Sequence, residues 1–375
     1  MILTLIIKYS LAKNVCIGAI AFLFGIWMLW TFGQINYFGR ADFNNIIKKQ
    51  PQPLRTNASE TYFTILFYAI PAWFNPKTVV FDECSYKNCK LITDKKLLST
   101  SEAVIFHHNS FSTLPDKPSG QIWIFASLES PYHTSKHFNT EKVKGKFNWT
   151  MTYRKDAEGF SPYAFLRKQL HIPVKNYTSI FRNKTNNIAW VVSNCQTQSK
   201  RQAYVKELSK YIDVDIYGRC GKPCLFKGEH CKMHLSKTYR FYLSFENSLC
   251  KDYLTEKILR MYSNSIDFIP IVRGAPNAKD RLPQKTYIST SDFQSPQKLA
   301  AFLKIIGSNK TRYISYLKEK HKYLASAYEK SNFFAGLCDI CYHLNVRTQK
   351  PKTIDLNKWL WENQCHMPND IHVPN

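Results

Sequence analysis

The chain has 375 residues, 44% of them hydrophobic and 15% aromatic, with 13 Gly and 17 Pro. That composition excludes a disordered or collagen-like chain and supplies core for about two domains. The formal net charge of +25 points to an anionic partner: a nucleic acid, an anionic surface or a phosphorylated substrate.

Residues 1–13 read as a short tail and 14–33 as a membrane anchor. Val15–Gly33 carries no charge and, as a helix, is close to one bilayer core in length, with Trp27, Trp30 and Phe32 gathered at its far end. The run is longer than a signal-peptide apolar region, and no small-x-small cleavage site follows it. Lys8 and Lys13 precede it while Arg40, Lys48 and Lys49 follow, so flanking charge leaves the orientation open. The downstream sequence orients it. Glycosylation sequons start at Asn57, Asn148, Asn176, Asn183 and Asn309, and of 11 cysteines only Cys16 lies in the span. Both features suit an oxidising lumen. We therefore expect a type II membrane protein with a lumenal body and no nucleic-acid partner.

Residues 34–60 are polar and read as a stem. Short apolar runs at Tyr62–Ala69, Ala103–His108 and Ile122–Ser127 have strand length, and the gaps between them leave room for crossover helices, as in a parallel sheet. A second series follows the polar stretch Arg182–Asn187. "IAWVVSN", "DVDIYG", "RFYLSFEN" and "DFIPIV" read as strands, with "RQAYVKELSKYI" and "TEKILRMYSNS" as helices between them. The expected fold is α/β of the GT-B type. It has one α/β domain over 61–186 and a second over 187–345, facing a cleft, then a tail over 346–375. One large α/β sheet is the alternative.

Two strand exits carry chemistry. In "FYLSFENSLCKDYLTEKI", Asn247 falls at the carboxyl end of a strand, where open α/β sheets bind ligands. Asp252 then reads as the N-cap of a helix with Tyr253, Glu256 and Lys257 on one face of its first turn, where free N–H groups and Lys257 attract phosphate. Glu256 can accept a pair of sugar hydroxyls; a solvated Glu–Lys face is the plain alternative. In "WVVSNCQTQSKR", a strand ends at Ser193-Asn194 and Arg201 opens a helix, its planar fork suited to two phosphate oxygens. Asp213-Val-Asp215 resembles a metal-binding pair but sits in a strand pattern. His107-His108 are expected on opposite faces of their strand. Cys338 and Cys341 read as a disulfide rather than half a zinc site, and Cys84/Cys89 and Cys220/Cys224 are close enough for local bridges.

"FYLSFENSLCKDYLTEKILRMYSNSIDFIPIVRGAP" closely resembles the signature of the α1,3/4-fucosyltransferases, glycosyltransferase family 10. "IWIFASLESPYHT", "FNWTMTYRKDAEGFSPYAFL", "WVVSNCQTQSKR" and "DVDIYGRCG" match in the same order. The resemblance implies a Golgi-anchored enzyme that moves L-fucose from GDP-β-L-fucose to an acceptor hydroxyl with inversion. It places donor binding on Tyr163, Val192, Ser193, Asn194, Arg201, Tyr242, Asn247, Tyr253, Glu256 and Lys257, and the catalytic base on Glu129, which alone would read as an ordinary loop acid. No cofactor is required, GDP-fucose being a co-substrate, with a divalent cation such as Mn2+ at most stimulatory. The partners implied are a glycoprotein or glycan acceptor and the Golgi membrane. The acceptor is a GlcNAc of an N-glycan core or of a LacNAc or LacdiNAc antenna; "LCDICYHLN" looks closer to core-type members. Another inverting GT-B transferase, or a carbohydrate-binding protein without turnover, are the alternatives.

Overall fold

The computed structural model describes residues 62–111, 113–134, 143–326, 333–348 and 351–371. The anchor expected over 14–33, the stem and the Asn57 sequon lie outside them. No helix among the described residues is long and apolar enough to cross a membrane.

The first half builds a six-stranded sheet from β1 (Phe63–Ala69), β2 (Cys89–Ile92), β3 (Ala103–His107), β4 (Ile122–Ser127), β5 (Trp149–Thr152) and β6 (Gly159–Phe160). Its order is β2-β1-β3-β4-β5-β6 and every pairing is parallel. β3 and β4 are buried at every residue, which is why they read as continuous apolar runs: both faces of a parallel sheet are covered. A short antiparallel pair, β7 (Leu166–Lys168) with β13 (Tyr323–Ala325), lies outside both main sheets.

After α1 (Tyr177–Arg182), the second half repeats the plan. β8 (Asn186–Val191), β9 (Val214–Tyr217), β10 (Tyr239–Phe245), β11 (Ile269–Arg273) and β12 (Ile288–Ser289) form a parallel sheet of order β12-β11-β10-β8-β9. The helices are α2 (Arg201–Leu208), α3 (Gly228–Leu235), α4 (Glu256–Leu259), α5 (Pro296–Ser308) and α6 (Lys310–Lys320). Side chains alternate along β10 as a pleat requires. Phe241, Leu243 and Phe245 pack with Val205 and Leu208 of α2, Leu299 and Leu303 of α5, and Leu317 of α6. Tyr242 joins Leu235 of α3 and Ile258 of α4 on the opposite face. Two separate sheets answer the question of one sheet or two.

The C-terminal boundary differs from the expectation. α7 (Phe334–Val346) does not join the second sheet. It packs on β5 and β6 and is bonded to the first half by Cys84–Cys338 and Cys89–Cys341. The contact is close at Gly159, where an added Cβ would stand 3.0 Å from the Gly336 carbonyl oxygen. α8 (Leu356–Trp361) adds Leu356 and Leu360 to the first sheet's core, and Cys250–Cys365 pins the segment beyond α8 to the loop after β10. Thus α7, α8 and Cys365 strap across both halves, where the end of one domain and a tail were expected. The helical pattern shows that α7 has a buried face, but not whose core buries it.

The expected local bridges are also corrected. Cys84, Cys89 and Cys220 pair with Cys338, Cys341 and Cys195, while Cys224 pairs with Cys231. Asn148 departs from its sequon reading: it is buried, accepts from Trp123 N at 3.0 Å and Lys117 Nζ at 2.6 Å, and donates to the Pro351 carbonyl at 3.0 Å. A side-chain amide so engaged is a structural clamp with no room for a glycan. Asn176, Asn183 and Asn309 are exposed. The polar stretch Arg182–Asn187 holds the end of α1, the start of β8 and the buried Lys184, whose ammonium donates to the Ser236 carbonyl. Burial lowers Lys184 to about 7, and lowers the equally buried Lys320 to about 7 where it donates to Met261 O and Ile266 O.

Candidate active site

In the second sheet the first strand, β8, lies between β9 and β10, so the direction of winding reverses between β8 and β10. The crevice at such a switch point, beyond the carboxyl ends of the strands, is where open α/β sheets bind ligands. A cleft of about 570 Å³ occupies it, and Val192, Ser193, Asn194, Arg201, Tyr242, Asn247, Glu256 and Lys257 all line it. These are eight of the ten residues that the resemblance assigns to the donor; the fold brings them together from three elements and their loops.

Arg201 is the first residue of α2. Its fork is more occupied than expected. Nη1 donates to Phe245 O at 2.7 Å and Nη2 to Asn194 O at 3.0 Å, so the side chain ties the ends of β10 and β8 together. Burial pulls the guanidinium below its ordinary value while Glu246 opposes this, and an arginine stays charged regardless. Nε of Arg201 and Oδ1 of Asn247 are buried and find no partner among the described residues. Buried polar atoms are rarely left so; here a donor and an acceptor stand ready at the rim of a cleft.

The segment after β10 departs from the expected helix start. Asp252 is not the N-cap. It holds a left-handed φ of 60° and exchanges hydrogen bonds with Asn277, through its N–H at 2.8 Å and its Oδ1 at 2.9 Å. The cap is Thr255, α4 is a single short turn from Glu256, and Tyr253 lies before it. Lys257 Nζ donates to Thr255 Oγ1 at 3.0 Å and Glu256 Oε1 at 3.0 Å, and lies 3.3 Å from Glu246 Oε2. Burial opposes the charge of Lys257, but Glu246 and Glu256 outweigh it and hold the ammonium above its ordinary value.

Glu246 was not among the expected site residues. It is fully buried, accepts from Thr255 N at 2.9 Å and from Thr255 Oγ1, and anchors Lys257 from beneath. Burial pushes its carboxyl up while Lys257 pulls it down. Gly274 leaves it space, since a Cβ there would stand 2.6 Å from Glu246 Cγ. The signal was a carboxylate closing an apolar strand, which a core strand avoids unless the charge is paired.

Glu129, Tyr163 and Tyr253 form a second group. Glu129 follows β4 of the first sheet, and the Tyr253 hydroxyl donates to its Oε2 at 3.1 Å. The Tyr163 hydroxyl donates to Leu128 O at 2.6 Å, and its ring meets that of Tyr253 edge-on at 6.4 Å. Burial raises both phenols well above their ordinary values, so both remain neutral O–H donors. Tyr163 lines a neighbouring cavity of about 510 Å³ that shares Glu229 and Glu256 with the cleft. A hydrogen bond between Ser130 and Ser248 hydroxyls, 2.7 Å, further joins the Glu129 turn to the segment after β10.

The remaining motifs have other partners. Asp215 accepts from Lys222 Nζ at 2.8 Å and the Tyr239 hydroxyl at 2.7 Å. His107 and His108 do not diverge as expected: β3 ends at His107, so strand alternation stops, and the two rings lie 4.6 Å apart. Burial lowers them to about 3 and about 4, His108 adding to the effect on His107.

Residues 61–164 match the family described as "Fucosyltransferase, N-terminal", and 181–359 match "Glycosyltransferase family 10 (fucosyltransferase) C-term". Among curated relatives, the human alpha-(1,3)-fucosyltransferase 7 is 31% identical over 88% of this chain and 91% of its own. The Drosophila melanogaster glycoprotein 3-alpha-L-fucosyltransferase A is 35% identical over 74% of this chain and 55% of its own. A crystal structure of an alpha1,3-fucosyltransferase superimposes with a TM-score of 0.50 at 16% identity, covering 84% of this chain and 98% of the other, and so shares the fold. The chain belongs to glycosyltransferase family 10, the fucosyltransferases.

Proposed function

We propose that the protein is an inverting α1,3-fucosyltransferase that moves L-fucose from GDP-β-L-fucose to a GlcNAc hydroxyl of a glycoprotein glycan, in an N-glycan core or an antenna. The observation that carries this is the 3.1 Å hydrogen bond from Tyr253 to Glu129. It sets a carboxylate of the first sheet beside the segment that holds Glu256 and Lys257.

In-line displacement needs a base on one side of the sugar and charge stabilisation on the other. Glu129 takes the proton from the acceptor oxygen as that oxygen bonds to the anomeric carbon. Tyr253 holds the carboxylate in place. The bond from that carbon to the β-phosphate oxygen breaks, and GDP leaves with the electron pair. Arg201 and Lys257 face the growing negative charge, which fixed cations stabilise at little reorganisation cost. The unpartnered Arg201 Nε and Asn247 Oδ1 suit a phosphate oxygen and a ribose or sugar hydroxyl; Glu256 can accept further hydroxyls. One enzyme carboxylate suffices because GDP is already a good leaving group.

We place the enzyme in the Golgi membrane, anchored by residues 14–33 with its body in the lumen. The disulfides of the body support an oxidising compartment. Incubating the purified full chain with GDP-fucose and a glycan array carrying core and antennal GlcNAc tests the reading. Fucose is expected on one of these classes, α1,3-linked. Binding to glycans without transfer to any of them would replace the enzyme by a lectin of the same fold.

A further inference from the structure

One wall of the second-sheet cleft has no part in the transfer chemistry above. It comes from "GRCGKPCLFKG", the segment between β9 and α3. Phe226 lines the cleft and is 45% exposed. The segment around it is braced. Gly218 N–H donates to Lys222 O at 3.0 Å and Lys222 N–H to Ile216 O at 3.0 Å, so the chain folds back along β9. Gly218 holds a left-handed φ of 91°, and a Cβ there would stand 2.7 Å from the Val192 carbonyl oxygen. Cys195–Cys220 ties the segment to the exit of β8. Cys224–Cys231 closes a small ring of chain in which Phe226 sits, and His234 of α3 stands beside the phenyl group with centroids 5.0 Å apart. An apolar ring is thus held in a wet cleft, where covering it with a flat apolar face is favourable.

The strand order says which end of the cleft this is. β10, β8 and β9 are successive neighbours, and their exits carry the lining residues. Asn247 and Lys257 follow β10, Arg201 joins the exits of β10 and β8, and Phe226 follows β9. The two proposed phosphate cations therefore stand towards one end and the aromatic ring towards the other, about two strand spacings or roughly 10 Å away. Lys227 and Lys232 also line the aromatic end, and Lys232 is paired with Glu229 at 3.1 Å. A nucleoside diphosphate has the same polarity: charge at the diphosphate, hydroxyls on the ribose, and a flat aromatic base at the far end.

We propose that Phe226 stacks on the purine base of the bound donor, so that the loop closed by Cys224–Cys231 is the base-binding wall of the cleft. This rests on the donor assignment above, which gives the diphosphate to Arg201 and Lys257.

Titration calorimetry of the full chain with GDP, together with transfer kinetics from GDP-fucose, tests it. In Phe226→Ala, GDP affinity falls about tenfold or more, the scale of a lost base–aromatic stack. KM for GDP-fucose rises to match while kcat stays within about twofold, because a stack far from the reacting carbon is the same in the ground and transition states. Phe226→Tyr keeps the aromatic face and stays near wild type; Phe226→Leu keeps apolar bulk without that face and falls with the alanine variant. Unchanged GDP affinity in Phe226→Ala, a loss confined to kcat, or a leucine variant that binds GDP as wild type does overturns the proposal. If the alanine variant fails to fold, as its melting curve reveals, the tyrosine and leucine variants carry the same comparison. Wild-type protein that binds neither GDP nor GDP-fucose would instead sink the donor assignment itself.

Discussion

The two sheets are wound alike and finished differently. Numbered from its own first strand, the first runs 2-1-3-4-5-6 and the second 2-1-3-4-5, and each is parallel, so each has a switch point. At the second, the rim is charged and hydrogen-bonding: Arg201, Lys257, Glu256 and Asn247. At the first, the rim after β1 and β3 is aromatic. Trp73 is 55% exposed, stacks on Phe333 at 5.5 Å, and meets His107 edge-on. Like topology gives both sheets a switch point, and the strand-exit residues give each a different chemistry: a charged rim suits a phosphorylated nucleotide and an aromatic one an uncharged sugar face. Glu129 stands on the aromatic side and Tyr253 on the charged side, so their hydrogen bond joins the two rims where we place the reaction centre.

Separating the two rims gives the largest expected effect. Glu129→Gln removes the proposed base but leaves the residues of the second-sheet cleft unchanged. Transfer should fall by about 10³-fold, within the range of general-base catalysis, with GDP affinity unchanged by calorimetry. A variant retaining most of its turnover would move the base elsewhere. Arg201→Lys probes the opposite rim. It keeps the charge but loses the bonds to Phe245 O and Asn194 O, so kcat should drop about 10²-fold, as when one charge-stabilising donor is removed, and GDP affinity should fall too. If GDP binds equally well, Arg201 is a clamp for the strand ends alone.

A smaller effect concerns only the second half. Lys184 and Lys320 are held near 7 by burial, whereas an unfolded lysine titrates near about 10.4. Between those values the unfolded chain binds more protons than the folded one, so stability must rise with pH over that window. The rise is up to about 1.4 kcal/mol per pH unit for each lysine. Below about 7 both states are protonated and this dependence ends. Thermal melts from pH 6 to pH 9.5 test it; a Tm falling steadily across that range would contradict the buried lysines. The last prediction costs no activity. Glycopeptide mass spectrometry should find occupancy at Asn176, Asn183 or Asn309 but not at Asn148, whose amide is committed to the first sheet's core. A glycan on Asn148 would require that clamp to be open.

Much of the rim of the second-sheet cleft is legible in the sequence because its information is local. Strand, exit and helix start follow one another in "WVVSNCQTQSKR" and in "FYLSFENSLCKDYLTEKI", and a strand exit can be read from the change of apolar to polar residues. The cap is not legible, because Asp252 and Thr255 are both good N-cap types; the choice falls to Asn277, distant in sequence, which claims Asp252. Glu246 is an odd way to close an apolar strand, yet its role stays hidden, since its partners Thr255 and Lys257 meet it only after the chain turns. The strap of α7, α8 and Cys365 is illegible for a related reason. A cysteine's partner is fixed by the folded path, and nearness along the chain favours Cys84/Cys89 over bridges that span 254 and 252 residues.

Those long bridges also set a timetable. At about 5–20 residues per second of synthesis, roughly 10–50 s pass between the appearance of Cys84 and that of its partner. From the time Phe160 is made, the first half has its strands but lacks α7 and α8, and Cys84 and Cys89 lack the partners of their final bridges. A premature Cys84–Cys89 bridge would have to reopen before either long bridge could form. The last helices to emerge complete the first sheet to be made.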